Sequence, residues 1–361
     1  MEQVKNIESL SLAFTAGVVA GTVFFAGHGS WIPALLLPLA ALPVFFRERL
    51  LRMREERSIG LILLSFVLLG IFCACNAALP APSFHGVLQS WADAAVQHLR
   101  ARISALPFDP AGQTAPLLNA LLTGDRSGLP RETVGLFRAS GASHLLALSG
   151  LHMGILYVLF DWLCKPLGHS RAAQVARCAV LISGAGFFTL MAGAGPSLVR
   201  AFLFISINEL LRVLHRPRKP LRVYCVALLI QLVLNPTVIS SVGFQLSYLA
   251  MAGIFLLFPV LESWYPQGPA WDPMHRLWSL AALSISCQAF TAPLSWLRFH
   301  SFPQYFILTN LLALPLTSAL MGGALLTLAL DGVGISWQPL ITATDGLSRL
   351  LLWVLEIISS M

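Results

Sequence analysis

Apolar runs of membrane-spanning length recur from one end of the sequence to the other, and the loops between them carry most of the charge. Among them are Leu10 to Gly27, Ile59 to Leu79, Phe244 to Leu261, Leu277 to Leu297 and Tyr305 to Leu330. A bilayer core is crossed by about 20 apolar residues in a helix. Inside it every backbone N–H and C=O must be satisfied within the segment, which selects helices over open strands. With 57% apolar and 11% charged residues, the chain cannot cover itself with a water-compatible surface. It is therefore expected to be all-α, a polytopic integral membrane bundle of about 10–11 transmembrane helices whose main solvent is the lipid bilayer.

Charge in the loops sets the orientation. RERLLRMREER places Arg47, Arg49, Arg52, Arg54 and Arg57 between the run Trp31 to Phe46 and the run from Ile59, and RVLHRPRKPLR gathers Arg212, Arg216, Arg218, Lys219 and Arg222 without an acid. Both are cytoplasmic by the positive-inside rule. The N-terminus is then cytoplasmic, the first run a retained helix rather than a cleaved signal, and Pro80 to about Ser143 extracytoplasmic. Helices at His144 to Leu163, Arg177 to Met191 and Ser197 to Leu214 return the chain to the cytoplasm. Val223 to Val238 and Trp337 to Ile358 complete the spanning set. The organisation expected is 1–80, N-terminal transmembrane helices; 81–116, an extracytoplasmic amphipathic segment; 117–330, a transmembrane domain; and 331–361, a C-terminal transmembrane helix. Within the second part, Val87, Leu88, Trp91, Ala95, Leu99 and Ile103 recur at helical spacing, as in a helix lying at the membrane interface. Pro293, Pro315, Gly322 and Gly323 fall inside apolar runs and predict broken or kinked helices.

The net charge of +7 suits a polyanionic partner, and arginine-rich cytoplasmic loops produce it equally well. The six cysteines lie in or beside apolar runs without metal-ligand spacing and read as small hydrophobes. No nucleotide-binding loop of the GxxxxGK[ST] type occurs, and the nine histidines form no metal cluster. Neither a metal nor a cofactor is predicted. Polar groups inside apolar segments must find partners or border water. His144 and His152 flank Ser149 and Gly150 in one such segment, where helix–helix hydrogen bonding, a polar lining and a catalytic role are alternatives. Gly150 permits close backbone approach or local unwinding. Arg200, about four residues into its helix, either snorkels to the interface or faces a polar path where its guanidinium would suit phosphate. Seven carboxylates follow Glu132, most of them near helix ends, so a pathway here is poor in negative charge.

Five motifs stand in order along the chain: GDRSGL followed by SHLLALSGLH (Gly124 to Leu129 and Ser143 to His152), GAGPSLVRA (Gly193 to Ala201), Asn235-Pro236, GFQLSY (Gly243 to Tyr248), and APLS with a later NLLALPL (Ala292 to Ser295 and Asn310 to Leu316). In this order they resemble the competence domain of the ComEC family of DNA-uptake channels, over about Leu117 to Leu330. The resemblance implies an inner-membrane channel, not an enzyme, that passes single-stranded DNA into the cytoplasm during natural transformation in a bacterial cell. Its pathway would include Asp125, Arg126, His144, Ser149, Gly150, His152, Arg200 and Gln245. It also implies an extracytoplasmic DNA receptor, a cytoplasmic ATPase or single-stranded-DNA-binding proteins, and a homo-oligomer as a further arrangement. The OB-like and metallo-β-lactamase-like domains common in the family have no counterpart in this sequence, so either a separate nuclease acts or this member works without one. Two other functions remain open: a transporter of a smaller anion or amphiphile, and an intramembrane serine hydrolase with Ser149 as nucleophile.

Overall fold

The computed structural model describes residues 7–24, 40, 55–76, 86–109, 112–168, 170–266, 272–300 and 304–361. Among them regular structure is helical throughout, with no strand. The helix expected over Trp31 to Phe46 and the arginine loop at 47–54 lie outside the described residues, as does most of the break expected at Pro266 to Pro273. The chain divides into two compact units, Met1–Phe84 with Leu203–Gln245, and His85–Phe202 with Leu246–Met361.

In the first unit, α1 (Ile7–Phe24) and α2 (Glu55–Asn76) pair closely. Glycine makes this possible: a Cβ at Gly17 would run into the Val67 backbone and one at Gly70 into the backbone of Phe14. In lipid, where no hydrophobic force pulls apolar helices together, such backbone proximity supplies the van der Waals contact that does. The C-terminal part of α9 (Pro196–Val213) and α10 (Pro220–Leu234) belong to the same unit, with α10 packing on α1. Helix α10 starts at Pro220, whose missing N–H costs nothing at a first helical position. It stops at Asn235-Pro236, where a 3₁₀ turn follows.

The second unit begins with α3 (Val87–Ala105), the amphipathic helix predicted from the sequence. It buries Ala92, Val96 and Ile103 and leaves Val87, Leu88 and Trp91 exposed. The N-terminal part of the predicted apolar stripe thus faces away from the protein, because α4 (Thr114–Thr123) and α8 (Arg171–Met191) cover the side bearing the smaller residues. Helix α4 is nearly all buried. Leu117, Leu118 and Leu121 join Phe137 of α5 (Arg131–Ala139), Leu145 of α6 (Ser143–Leu146), Leu320 and Met321 of α14 (Phe306–Gly332) and Leu351 and Leu355 of α15 (Gln338–Ser360) in one core. Close packing of these nine large side chains holds the unit together. Between α5 and α14 lie α7 (Gly150–Leu163), α8, the start of α9, α11 (Val242–Leu256, whose first residues fall in the first unit), α12 (Phe258–Glu262) and α13 (Pro273–Phe299).

Six helical stretches among the described residues are long and apolar enough to cross a membrane: Ile7–Phe24, Ile59–Asn76, Arg171–Met191, Val242–Glu262, Pro273–Phe299 and Phe306–Gly332. The other segments expected to span are short, as α7 and α10 are, or charged, as α15 is with Asp345, Arg349 and Glu356. Proline effects also differ from expectation. Helices α13 and α14 run through Pro293 and Pro315. The interruption between α11 and α12 falls instead just ahead of Pro259, whose ring opposes the Phe255 carbonyl. The helix expected over His144 to Leu163 is broken: Ala147 is extended (φ −84°, ψ 127°), and so is Ser149 (φ −133°, ψ 178°).

Candidate functional site

Two of the sequence motifs meet at this break. After α4 the chain turns at Gly124 in the left-handed region (φ 76°), which a glycine enters without steric cost. The following Asp125 accepts the Ser127 N–H at 3.0 Å and pairs with Arg100 of α3 at 3.1 Å. Its carboxyl is held below the usual range, chiefly by the hydrogen bonds from Ser127 and then by the Arg100 charge. Arg126 reaches the other way. Its Nε and Nη2 donate to the Leu146 carbonyl at 3.2 and 2.8 Å. Leu146 ends α6, and because Ala147 leaves helical geometry, no later turn of the same helix satisfies that carbonyl. Leu148 packs over the same loop, with its Cδ1 2.8 Å from where a Cβ on Gly124 would lie.

Beyond the break, Ser149 caps α7. Its hydroxyl accepts the Leu151 N–H at 3.3 Å and lies 3.1 Å from His152 Nδ1, while its own N–H donates to Nδ1 at 3.3 Å. This is a capping box with histidine in the place usually held by Glu or Gln. An Nδ1 that accepts from a backbone N–H places the imidazole proton on Nε2, which is buried without a partner among the described residues. The serine thereby orders a helix start.

Arg200 brings three motifs together. It enters on GAGPSLVRA, where Gly193 and Ala194 have positive φ and Pro196 opens α9. Its side chain is buried, donates through Nη1 to the Ser247 carbonyl of GFQLSY, and lies against Gly150 of SGLH, where a Cβ would come 3.2 Å from Nη2. It therefore neither snorkels outward nor sits at an open mouth; it is inserted between segments.

The remaining predicted residues make local contacts of their own. His144 is exposed, with Nδ1 3.2 Å from the Gly141 carbonyl. Gln245 belongs to the first unit and donates to the Ile239 carbonyl at 2.7 Å. Sequence reasoning missed Arg100, which holds both Asp125 and the Thr123 hydroxyl. It also missed Asp345, buried on α15, where it takes the Thr114 hydroxyl at 2.6 Å and pairs with Arg349. The i, i+4 spacing of Asp345 and Arg349 was the available signal. Thr309 of α14, whose hydroxyl donates to the Ser140 carbonyl at 2.6 Å, ties the last family-like region to the end of α5. Among the described residues no group of three or more His, Cys, Asp or Glu is arranged to hold a metal ion.

Comparison with known proteins bears on the same region. The family model described as competence protein matches residues 121–361. The chain is 25% identical over 258 residues to ComE operon protein 3 of Bacillus subtilis (strain 168), covering 71% of this chain and 31% of that protein. It is 25% identical over 251 residues to recombination protein 2 of Haemophilus influenzae, covering 65% and 31%. With competence protein ComA of Neisseria gonorrhoeae it shares 27% over 251 residues, covering 67% and 34%. The chain thus spans about a third of the length of these curated relatives. No solved structure matches it.

Proposed function

Since this chain belongs to the competence-protein family, we propose that it forms a channel in the bacterial inner membrane and conducts single-stranded DNA into the cytoplasm during natural transformation. The observation that carries this reading is the broken SHLLALSGLH segment. Two arginines of the expected path lie against this unwound backbone, Arg126 on the Leu146 carbonyl and Arg200 beside Gly150, and helix breaks of this kind line passages in membrane transport proteins. The names of the relatives from Bacillus and Neisseria, a ComE operon protein and a competence protein, agree with it.

In this reading the strand passes Asp125-Arg126 and Arg200 and then the segment of His144, Ser149, Gly150 and His152, Gln245 being a further residue of the path; 117–330 forms the conduit, and 1–80, 81–116 and 331–361 are its flanking parts. The N-terminus is cytoplasmic. The chain acts as a passage rather than as an enzyme, so a cytoplasmic ATPase or single-stranded-DNA-binding proteins supply the pull. An extracytoplasmic receptor delivers the strand, a separate nuclease removes its complement, and copies of the chain assemble with one another.

The test is the transformation frequency of marked linear DNA in a deletion strain complemented by wild type or by a His144→Ala, Arg200→Ala double variant of equal membrane abundance. Loss on deletion, rescue by wild type and failure of the variant are expected. Unchanged frequency after deletion in a transformable host overturns the DNA reading and favours a smaller anion as the cargo.

A further inference from the structure

We propose that Arg126 and the Leu146 carbonyl form a latch on the helix break, released when a phosphate group takes the guanidinium. The inference deepens the conduit reading and rests on a phosphate-bearing strand approaching the Asp125-Arg126 loop.

Three features of the pair support it. The Leu146 carbonyl ends a four-residue helix, and the chain is extended from Ala147 onward, so the two N–H donors of Arg126 satisfy an acceptor that the broken helix does not. Arg126 is an exposed residue, in the loop between α4 and α5. Among the described residues no carboxylate pairs with Arg126, because the adjacent Asp125 is turned to Arg100 and to the Ser127 N–H.

The exchange has a definite direction. A guanidinium bonds a phosphate with two parallel N–H···O bonds between opposite charges, each donor on its own oxygen, whereas here both donors share the single Leu146 oxygen. The Leu146 carbonyl is neutral. A phosphate at Arg126 therefore outcompetes it, and the freed carbonyl must turn to water or to a new donor. Leu148 packs on the same loop at Gly124, so displacement of Arg126 is transmitted to the extended residues that lead into the Ser149 cap and to Gly150 beside Arg200. The segment that responds is the one whose unwinding makes room at the break. An arriving strand in this way loosens the obstruction it meets.

The experiment is hydrogen exchange of the 143–153 peptide in the purified chain in lipid nanodiscs, with a short oligodeoxythymidine or inorganic polyphosphate as probe and with binding followed by anisotropy in parallel. In the wild type both probes are expected to speed exchange about fivefold, the change that one net hydrogen bond makes in a local opening equilibrium. In Arg126→Gln the peptide exchanges at the faster rate without a probe and does not respond. Arg126→Lys, which keeps the charge without the fork, starts faster than wild type and still responds. Unaltered exchange in α8 establishes that either variant is folded, and the lysine variant carries the test if the glutamine one is not. If the oligonucleotide binds while exchange in the wild type is unchanged or slowed, the latch is overturned and the DNA reading survives. If polyphosphate speeds exchange and the oligonucleotide neither binds nor acts, the latch stands and the DNA reading fails. If neither probe binds or acts, both are overturned.

Discussion

The guanidinium of Arg200 occupies the space that any side chain at Gly150 would need, a Cβ there coming 3.2 Å from Nη2. Because Arg200 also donates to the Ser247 carbonyl, it cannot simply withdraw without leaving that bond. Gly150→Ala is accordingly expected to destabilise the protein by about 1–3 kcal/mol, the usual cost of overpacking a close contact. In an Arg200→Ala background the same change should be nearly neutral. Thermal melting of the two single variants and the double variant in detergent checks this, and additive effects would separate the two residues.

Ser149 discriminates a cap from a nucleophile. Ser149→Ala removes the acceptor for the Leu151 N–H and should cost about 0.5–2 kcal/mol. Ser149→Asp retains a capping acceptor, so it should keep most of the stability and most of the transformation activity. Activity abolished equally by both, with stability intact in the aspartate variant, would revive a chemical role for the hydroxyl.

The α1–α2 pairing depends on backbone approach, so Gly17→Leu, which meets the Val67 backbone, should impair membrane abundance severely. Gly60→Ala meets nothing within 4 Å and serves as the neutral control on the same helix pair. Immunoblotting of membrane fractions distinguishes them.

On α15, Asp345→Ala strands the Thr114 hydroxyl in a buried setting and removes one partner of the exposed Arg349. The expected loss is about 1–3 kcal/mol, that of an unsatisfied buried polar group. Arg349→Ala should cost less, since Arg349 is exposed and Asp345 keeps Thr114. Melting temperatures that rank the other way would place the α15 anchor on Arg349 and Asp109 instead.

Asp125 contributes in a pH-dependent way. Hydrogen bonds from Ser127 and the Arg100 charge depress its folded pKa below the ordinary aspartate value of about 3.9. Its contribution to stability is then fully present above that ordinary value and is lost as pH falls through the lower, folded one. Asp125→Asn should lower the melting temperature at neutral pH, and the gap between variant and wild type should close in strong acid. A gap that widens on acidification would mean the carboxyl is raised, not depressed.

Much of the architecture was written along the chain. Lipid imposes a length and an apolar composition on each spanning segment, so the runs that became α1, α2, α8, α11, α13 and α14 could be found from hydropathy. Helix punctuation was partly legible too, as in Asn235-Pro236. The broken segment was not. SHLLALSGLH has the composition of a continuous helix entering a membrane, and only the Arg126 donors and the Ser149 cap, supplied across the break, make interruption at Ala147 cheaper than continuation.

By itself, then, the sequence determined that this is a helical membrane protein with competence-type motifs in a set order, because hydropathy, charge and short motifs are local properties read residue by residue. Tertiary structure alone decided that Gly150, Arg200 and Ser247 are neighbours, that Asp345 is buried against Thr114, and that Val87, Leu88 and Trp91 face away from the protein. Which faces of two helices meet depends on their rotation and crossing, set by the packing of all the others at once, and no periodicity within one segment encodes it.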